Sequence, residues 1–357
     1  MPHQAILARF AADPSLVYLN TATYGLLPDV AVERMVKALQ DRQRGTGRWI
    51  EDWDLCGEAC RRAAAELLKA EIDEVALVPT VSVAVASVAG AVPAGGEVLV
   101  ASGEFTSVIY PFLEAERLGR LSVREAPLGE LVGAIGPDTS LVAVSHVQSA
   151  SGVAVDLEAL CTAAHGVGAK VFVDLSQSLG VIPFDVASPA VDYAACAAYK
   201  WLCCPRGVGF FYVRRSHWPS TPAPAANWRA GDDPYGRFYG TPLHLAPTAS
   251  RFDVSLAWNA WVGAKASLEL LTELDETLRF ELANGAARRF ADCLGLAPPA
   301  AGIVSVAVKE GAAEILEREH VVTSSRAGRV RLAFHFYNTL QQAEQVAALL
   351  EPFVIRD

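Results

Sequence analysis

The middle of the chain alternates short, almost wholly apolar segments with amphipathic ones, and this alternation limits the fold more than any other feature. The apolar segments predict strands at Glu97–Ala101, Leu141–Ser145, Lys170–Asp174, Asp192–Ala197 and Val208–Val213. Between them, amphipathic segments such as Ile109–Leu118 and Leu157–Val167 predict helices. Strands that are apolar on both faces are typical of a parallel sheet covered by helices on both sides. The sequence therefore predicts an α/β fold with a doubly wound core.

A second, smaller domain is expected after this core. Residues 216–247 are rich in Pro, Gly and aromatic side chains, which indicates a long functional loop or connection. Residues 257–297 have a long-helical pattern, followed by predicted strands at Ile303–Val308 and Val330–Ala333 and a helix at Leu340–Leu350. We expect an N-terminal segment at 1–15 that packs on the small domain, a large domain at 16–250 and a small α+β domain at 251–357.

Composition excludes several classes of protein. Of 357 residues, 52% are apolar and 20% charged, which is not the composition of a disordered chain. The net charge of −10 argues against nucleic-acid binding, which needs a basic surface. No apolar run reaches the length of a membrane span and the start does not resemble a signal peptide, so we expect a cytoplasmic protein without membrane or nucleic-acid partners. The seven cysteines have no zinc-binding spacing, and no metal site is expected.

Two charged residues end neighbouring apolar strands. Asp174 closes one strand, and Lys200 follows the next strand, 26 residues later. In doubly wound sheets, ligands bind beyond the carboxyl ends of the strands, so both side chains are expected in one crevice. A structural ion pair would explain them. A pyridoxal phosphate (PLP) site would also do so, because PLP needs a lysine for its aldehyde and an anion for its ring nitrogen.

The surrounding motif resembles a known family. Val173-Asp174 with Gln177, then Lys200, then Gly207-Val208-Gly209, resembles the signature of the class V, fold-type I PLP-dependent enzymes. That superfamily contains cysteine desulfurases, isopenicillin N epimerase-like proteins and kynureninases. The resemblance runs from Val17 to Thr339, nearly the whole chain. It implies a fold-type I architecture, PLP as cofactor, a small amino-acid substrate and a homodimer with shared active sites.

The resemblance also implies roles around the cofactor ring. Lys200 matches the catalytic lysine that binds the cofactor aldehyde. Asp174 matches the partner of the ring nitrogen, and Gln177 the partner of the ring hydroxyl. Ser149 lies where relatives often carry an Asn near that hydroxyl. Phe105 lies where desulfurases place a histidine stacked on the ring; a phenyl ring can stack there but cannot transfer a proton.

The phosphate group is expected where a helix begins after Pro79-Thr80. Val81 and Ser82 would offer backbone N–H groups and a hydroxyl, although Thr80 and Ser82 could instead be plain N-caps. The resemblance adds Tyr199, which precedes the lysine as in kynureninases, and Trp228, which could also be a packing aromatic. It further implies that Ser255, in Arg251–Ser255, reaches the phosphate of the partner subunit.

The substrate carboxylate is expected at Arg331. The resemblance matches Arg331 to an arginine that holds the α-carboxylate with two hydrogen bonds, although a structural arginine remains an alternative. Asn20, Thr21 and Ala22 are expected near the same carboxylate. Desulfurases need a nucleophilic Cys on a loop shortly before this arginine. Gly302–Arg331 contains no Cys, which disfavours that reaction.

Among the remaining reactions we favour β-elimination. Gly47–Trp53 and Arg251–Ser255 resemble the PLP-dependent C–S lyases of ergothioneine biosynthesis, which cleave hercynylcysteine sulfoxide to release pyruvate and ammonia. Trp49 and Trp53 with adjacent acids, or Trp228 with Asp232, Asp233 and Tyr235, could bind the trimethylammonium group of that substrate by cation–π attraction; ordinary helix packing would also explain them. The alternatives are an epimerase or racemase, a kynureninase-like hydrolase, a class V aminotransferase and a non-catalytic scaffold.

Overall fold

The computed structural model describes residues 3–326 and 328–356. Residues 1 and 2 of the predicted N-terminal segment, and residues 327 and 357 of the predicted small domain, lie outside this part of the chain. The described strands are β1 Val17–Tyr18, β2 Val75–Val78, β3 Glu97–Ala101, β4 Ser122–Ala126, β5 Thr139–Ser145, β6 Lys170–Asp174, β7 Tyr193–Ala197, β8 Gly209–Val213, β9 Ile303–Val306, β10 Val321–Val322, β11 Ser324–Arg326 and β12 Arg329–Ala333.

The described α-helices are α1 His3–Leu7, α2 Asp29–Arg44, α3 Cys56–Leu68, α4 Val81–Ala91, α5 Thr106–Arg117, α6 Leu157–Gly166, α7 Trp258–Thr272, α8 Glu276–Leu294, α9 Ala312–Arg318 and α10 Leu340–Leu350. A π-helical turn spans Trp49–Asp54. Short 3₁₀ turns span Ile72–Glu74, Leu128–Glu130, Arg215–Ser220, Trp228–Ala230, Ala249–Phe252 and Glu351–Phe353. Within the described residues, no helix has both the length and the apolar character needed to cross a membrane.

A central seven-stranded sheet has the order β2-β8-β7-β6-β5-β3-β4. All neighbouring strands run parallel except β8, which is antiparallel to both β2 and β7. This confirms the predicted mainly parallel sheet and the fold-type I class. The prediction was wrong for β8, which we had placed among the parallel strands. An apolar strand buried on both faces has the same sequence pattern in either direction.

Side chains of the sheet alternate between two cores, one on each face. In β6, Val171 and Val173 join the larger core, which contains residues of α3, α6 and α7, and Phe172 joins the smaller core under α4 and α5. Helices on both faces explain why β6 is apolar throughout. Two strands of this sheet were not predicted. β2 runs almost directly into α4 within one apolar stretch, and β4 is a half-exposed edge strand with a polar sequence.

The C-terminal part forms its own core around β9, β12, α8 and α10. In it, β12 pairs antiparallel with β9 and β11, and β1 from the N-terminal part pairs parallel with β10. The predicted long-helical region is two helices, because Asp275 caps a new helix by accepting a hydrogen bond from the Leu278 amide at 2.9 Å. The predicted boundary at residue 250 stays a prediction; α7, beyond it, packs in the core beneath the large sheet.

Candidate active site

A cavity of about 460 Å³ opens beyond the carboxyl ends of β3, β5 and β7. Six of the predicted site residues line it: Ala22, Phe105, Ser149, Tyr199, Lys200 and Arg331. The sequence analysis did not predict the other lining residues, which are Thr23, Tyr24, Gly25, Leu27, Cys204, Pro205, Arg206 and Arg326. Thr23, Tyr24 and Gly25 directly follow the predicted Asn20–Ala22, so extending that motif by three residues would have found them.

Lys200 lies just beyond the end of β7, and its side chain is buried. Its Nζ is 5.3 Å from the centroid of the Phe105 ring and 5.9 Å from that of Tyr199. Burial lowers the pKa of the Lys200 amine, although the nearby Asp174 carboxylate opposes this effect. A lowered pKa increases the fraction of free amine, which is the form that attacks a carbonyl group or takes up a proton.

Asp174 is the last residue of β6 and is also buried. Its Oδ1 accepts a hydrogen bond from the Ser176 amide at 2.8 Å. Burial raises the pKa of Asp174, while Lys200 and the Ser176 hydrogen bond act in the opposite direction. A cationic ring nitrogen facing this carboxylate would compensate its buried charge.

Gln177 joins three parts of the site. Its Nε2 donates to the Ala22 carbonyl and to Ser149 Oγ, each at 3.1 Å, and its Oε1 accepts from Trp201 Nε1 at 2.7 Å. The side-chain amide of Gln177 is therefore fixed between Ala22 and the loop after β5. Its predicted role toward a ring hydroxyl stays a prediction, as does that of Ser149.

Arg331 is 1% exposed and reaches the cavity from β12. Its Nη1 donates to the Ser149 carbonyl at 2.7 Å, its Nη2 to Thr23 Oγ1 at 2.8 Å and its Nε to Ser324 Oγ at 3.1 Å. These partners are neutral, and in the described part of the chain Arg331 has no carboxylate partner. Burial, with a smaller effect of Arg326, lowers the pKa of Arg331 to about 10. A buried guanidinium without a counter-ion fits a substrate carboxylate.

The three residues predicted beside that carboxylate have different surroundings. The Ala22 carbonyl lies in the cavity wall and is held by Gln177. Asn20 Oδ1 accepts a hydrogen bond from Thr23 Oγ1 at 2.7 Å, so Asn20 supports the threonine that contacts Arg331. Thr21 is fully buried and its hydroxyl is hydrogen-bonded to Tyr337. The Thr21 side chain therefore does not reach the cavity.

The predicted phosphate position is the start of α4. Thr80 precedes the helix without a side-chain hydrogen bond to its first amides, and Thr80 Oγ1 lies 3.0 Å from Ser82 Oγ. The N–H groups of Val81 and Ser82 thus have no side-chain cap and could donate to an anion. Neither residue lines the cavity around Lys200 in the described structure.

Four more predicted residues, Trp49, Trp53, Trp228 and Ser255, also lie outside this cavity. Trp49, Trp53 and Trp228 belong to an aromatic cluster that we define as Trp49, Trp53, Trp228, Tyr235, Phe238 and Trp258. The two separate aromatic groups of the sequence analysis are thus one cluster. Ser255 lines a groove of about 720 Å³ that shares Leu27, Pro205 and Arg206 with the cavity.

Glu104 is a buried site residue that the sequence analysis did not single out. Its Oε1 accepts from the Phe105 amide and from Ser145 Oγ, each at 2.7 Å, and its Oε2 accepts from Gln148 Nε2 at 2.9 Å. This carboxylate fixes Phe105 relative to the end of β5. The sequence signal that could have identified Glu104 is its position as an acidic residue directly before Phe105, the predicted stacking residue.

Together these groups fit PLP. The Lys200 amine forms no hydrogen bond or ion pair within residues 3–326 and 328–356, so it is free for an aldehyde. A buried carboxylate, an aromatic face, an uncapped helix start and an unpaired arginine supply partners for the ring nitrogen, the ring, the phosphate and a substrate carboxylate, respectively.

Comparisons with known proteins identify a family and similar chains. The family "Aminotransferase class-V" matches residues 17–346. An uncharacterized aminotransferase, YcbU of Bacillus subtilis (strain 168), is 31% identical over 307 residues, 80% of each chain. Isopenicillin N epimerase of Streptomyces clavuligerus is 28% identical over 388 aligned positions, 96% of each chain.

A solved structure shows the same fold. The cystine C–S lyase C-DES, in complex with its product cysteine persulfide, has a TM-score of 0.85 at 22% identity, covering 96% of this chain and 98% of C-DES. At this identity the similarity shows the fold alone.

Proposed function

This chain belongs to the class-V aminotransferase family of PLP-dependent enzymes, and we propose that it is a C–S lyase that catalyses β-elimination on an S-substituted cysteine or its sulfoxide. In this reaction the Cα proton is removed, the Cβ–S bond breaks and the sulfur group leaves with the bonding electron pair. Hydrolysis of the remaining enamine gives pyruvate and ammonia.

Three residues of the candidate site, Lys200, Arg331 and Asp174, each have a distinct task in this proposal. When bound, PLP supplies an electron sink for the electrons of the broken Cα–H bond. Lys200 Nζ takes up the Cα proton, because its lowered pKa leaves more of the amine free. Arg331 holds the substrate α-carboxylate and so fixes which bond at Cα faces Lys200. Asp174 keeps the ring nitrogen protonated.

Phe105 is the observation that carries the choice of reaction. Its ring is 5.3 Å from Lys200 Nζ, in the position where a histidine acid is expected for desulfurases, and a phenyl ring donates no proton. Thiolates, persulfides and sulfenates are weak bases that leave without an acid. The segment Gly302–Arg331 also lacks the cysteine that would attack sulfur in a desulfurase. Expulsion of a sulfur leaving group with one lysine as base fits these residues.

We propose hercynylcysteine sulfoxide of ergothioneine biosynthesis as the first substrate to test. The resemblance at Gly47–Trp53 and Arg251–Ser255 supports it. The aromatic cluster supports it less, because Trp49 contacts Trp228, Tyr235, Phe238 and Trp258 with ring centroids 5.3 to 6.4 Å apart. Rings at these distances pack against one another. A trimethylammonium group would bind at the outer face, where Phe238 is 42% exposed.

Epimerisation is the second candidate, and the similarity to isopenicillin N epimerase over 96% of the chain favours it. An epimerase needs a second proton donor on the opposite side of Cα. Tyr24 and Tyr199 both line the cavity and carry hydroxyl groups that could serve. Kynureninase-like hydrolysis and transamination would start from the same proton removal by Lys200.

We also propose that the protein is a homodimer whose interface contains the groove beside the cavity. Val32, Val36 and Leu39 on α2 are 44%, 46% and 52% exposed, and Leu39 lines this groove. Apolar surface of this kind is typical of protein interfaces. Ser255, which lines this groove, would then act at the partner's site. Val36→Glu with Leu39→Glu should give a monomer by light scattering; a monomeric unsubstituted protein would contradict this. A cytoplasmic location stays a prediction.

The reaction is tested with a panel of L-cysteine S-conjugates, cystine and sulfoxides, including hercynylcysteine sulfoxide, with detection of pyruvate and ammonia. Equal amounts of both products from at least one compound would support the lyase. Replacing Trp49 or Trp228 by Leu and comparing KM for charged and uncharged conjugates tests trimethylammonium binding. No pyruvate, together with inversion at Cα of an amino acid, would support the epimerase and contradict the lyase.

A further inference from the structure

Three arginines emerge on one face of the β11–β12 ribbon. Ser324 lies opposite Arg331, and Arg326 lies opposite Arg329. Directly opposed residues and residues two apart on a strand share a face, so Arg326, Arg329 and Arg331 point to the same side. Arg331 and Arg326 both line the cavity, with Arg331 buried and Arg326 exposed at the mouth.

The positive charge of this face is not compensated by the described protein. Arg326 Nη1 donates to the Ser325 carbonyl at 2.7 Å, and Arg329 donates to Ser305 Oγ at 3.2 Å and to its carbonyl at 3.0 Å. Within residues 3–326 and 328–356, none of the three arginines forms an ion pair with an acid. Like charges directly opposite on a ribbon destabilise it. An anionic ligand at the mouth would remove this repulsion.

The location of Arg326 indicates which anion it would bind. The expected phosphate position is the start of α4, which follows β2 of the large sheet. Arg326 instead lies on the β11–β12 ribbon, together with Arg331, which we assign to the substrate α-carboxylate. Arg326 lies opposite Arg329, which is two residues from Arg331 on β12, so Arg326 is on the neighbouring strand and about 6.6–6.8 Å further along the ribbon. A substrate held by Arg331 at one end would thus present its side chain to Arg326 at the other end.

We propose that Arg326 binds a second carboxylate, carried at the distal end of the substrate side chain, and so selects dicarboxylic amino acids. This proposal rests on the proposed function in one respect, the assignment of the α-carboxylate to Arg331. Arg326 is then a specificity-determining residue. It contacts the part of the substrate that leaves with sulfur and takes no part in proton transfer.

A matched pair of substrates tests the selection. S-(2-carboxyethyl)-L-cysteine and S-(2-carbamoylethyl)-L-cysteine have nearly the same shape and differ in one charge. We expect kcat/KM to be at least about 10-fold higher for the acid, a difference of about 1.4 kcal/mol. Arg326→Gln should reduce this ratio to within about 2-fold. Arg329→Gln is the matched control, because Arg329 lies on the same face, carries the same charge and does not line the cavity; it should keep the ratio.

A binding measurement separates this proposal from the proposed reaction. L-Glutamate and L-glutamine have no leaving group at Cβ, and their binding to the PLP-loaded enzyme can be followed by the cofactor absorption band. Glutamate should bind at least about 10-fold more tightly than glutamine, and Arg326→Gln should abolish the difference.

This result without pyruvate from any conjugate would contradict the lyase and keep the role of Arg326. The role of Arg326 would be overturned if the unsubstituted enzyme preferred neither S-(2-carboxyethyl)-L-cysteine nor L-glutamate over the corresponding amide. An equal loss of preference in Arg326→Gln and Arg329→Gln would also overturn it, because it would indicate a general effect of positive charge.

Discussion

Two groups of buried charges in this protein use the same residue types and differ in their partners. The first is the cavity, where Lys200 and Arg331 have no carboxylate in direct contact within the described residues. The second, which we call the arginine–carboxylate network, consists of Arg61, Arg229, Asp54, Glu58 and Asp253. There Arg61 Nη2 lies 2.6 Å from Asp253 Oδ2, and Arg229 Nη2 lies 2.6 Å from Glu58 Oε1. Arg229 also pairs with Asp54.

The network joins two adjacent segments, the π-helical turn and α3, to two segments far along the chain. Arg61 and Glu58 lie on α3, Asp54 in the π-helical turn, Arg229 in the long loop and Asp253 before α7. Asp253 Oδ1 also accepts from the Leu77 amide of β2 at 2.8 Å. The network therefore holds the loop of residues 216–247 against the large domain.

The pKa shifts of two buried arginines show the same contrast. Burial alone would lower the pKa of Arg61, but Asp253 and Glu58 raise it above its usual value. In the cavity, burial lowers the pKa of Arg331 to about 10, since no acid in the described part of the chain pairs with it. Charges that serve the structure have their partners within the chain, and charges that serve binding are left for a ligand. This comparison identifies the site without reference to relatives.

Removal of Lys200 should have the largest effect on activity. We expect Lys200→Ala to lose about 10⁴-fold in kcat, the upper range for a general base, and to lose the visible absorption of the bound cofactor. Because the amine forms no hydrogen bond or ion pair with any described residue, the free energy of unfolding without cofactor should not fall. Single-turnover assays and urea unfolding measure the two quantities. A large loss of stability would break the distinction between the two groups of charges.

Asp253→Ala should have the largest effect on stability. It leaves Arg61 and Arg229 buried without this carboxylate, and we expect a loss of about 3–5 kcal/mol in the free energy of unfolding. Asp174→Asn is the matched control from the candidate active site, a buried acid at a strand end, and should change that free energy far less while weakening PLP binding. Similar stability losses in both variants would contradict the comparison.

Arg331→Gln should mainly affect substrate binding. Hydrogen bonds to a charged group contribute about 1.5–3 kcal/mol, so KM should rise roughly 10- to 150-fold. Arg331→Lys keeps the charge but loses the two-pronged geometry. Its KM should lie between those of the unsubstituted protein and Arg331→Gln. Steady-state kinetics at saturating PLP measure the change. An unaltered KM would show that the α-carboxylate binds elsewhere.

Asp192 extends the comparison to pH and should give the smallest effect. Burial alone would raise its pKa, but contacts with His217 Nε2 at 2.7 Å and His165 Nε2 at 2.9 Å, with the Val171 amide, lower it overall. A lowered pKa in the folded state stabilises the protein above the unfolded value of about 3.9, and this stabilisation is lost as the pH falls through the folded value.

Asp192→Asn should therefore be less stable than the unsubstituted protein at pH 7, by about 1.5–3 kcal/mol, and the difference should narrow below about pH 4. Urea unfolding of both proteins at pH 7, 4 and 3 measures this. A difference that is constant over this range would show that the Asp192 carboxylate does not titrate differently in the folded protein.

Elements whose signals are local could be predicted from the amino-acid sequence. β3 and β6 and helix α10 have the bounds that were predicted, because apolar periodicity and capping residues act over a few positions. The mainly parallel sheet, the PLP cofactor and the family followed from the strand–helix alternation and from the residues around Asp174 and Lys200. Four of the predicted site residues, Phe105, Ser149, Tyr199 and Lys200, line one cavity because they follow strand ends that meet at one edge of a parallel sheet.

Features that depend on contacts between distant segments became visible only in the folded chain. The direction of β8 has no signature in its apolar sequence, and the polar edge strand β4 is defined by its pairing with β3. Trp49 and Trp228 were assigned to alternative groups and lie together because the long loop folds back onto the π-helical turn. Arg326 reaches the mouth because β11 pairs with β12. Such placements arise from chain packing over long separations, which local sequence patterns do not encode.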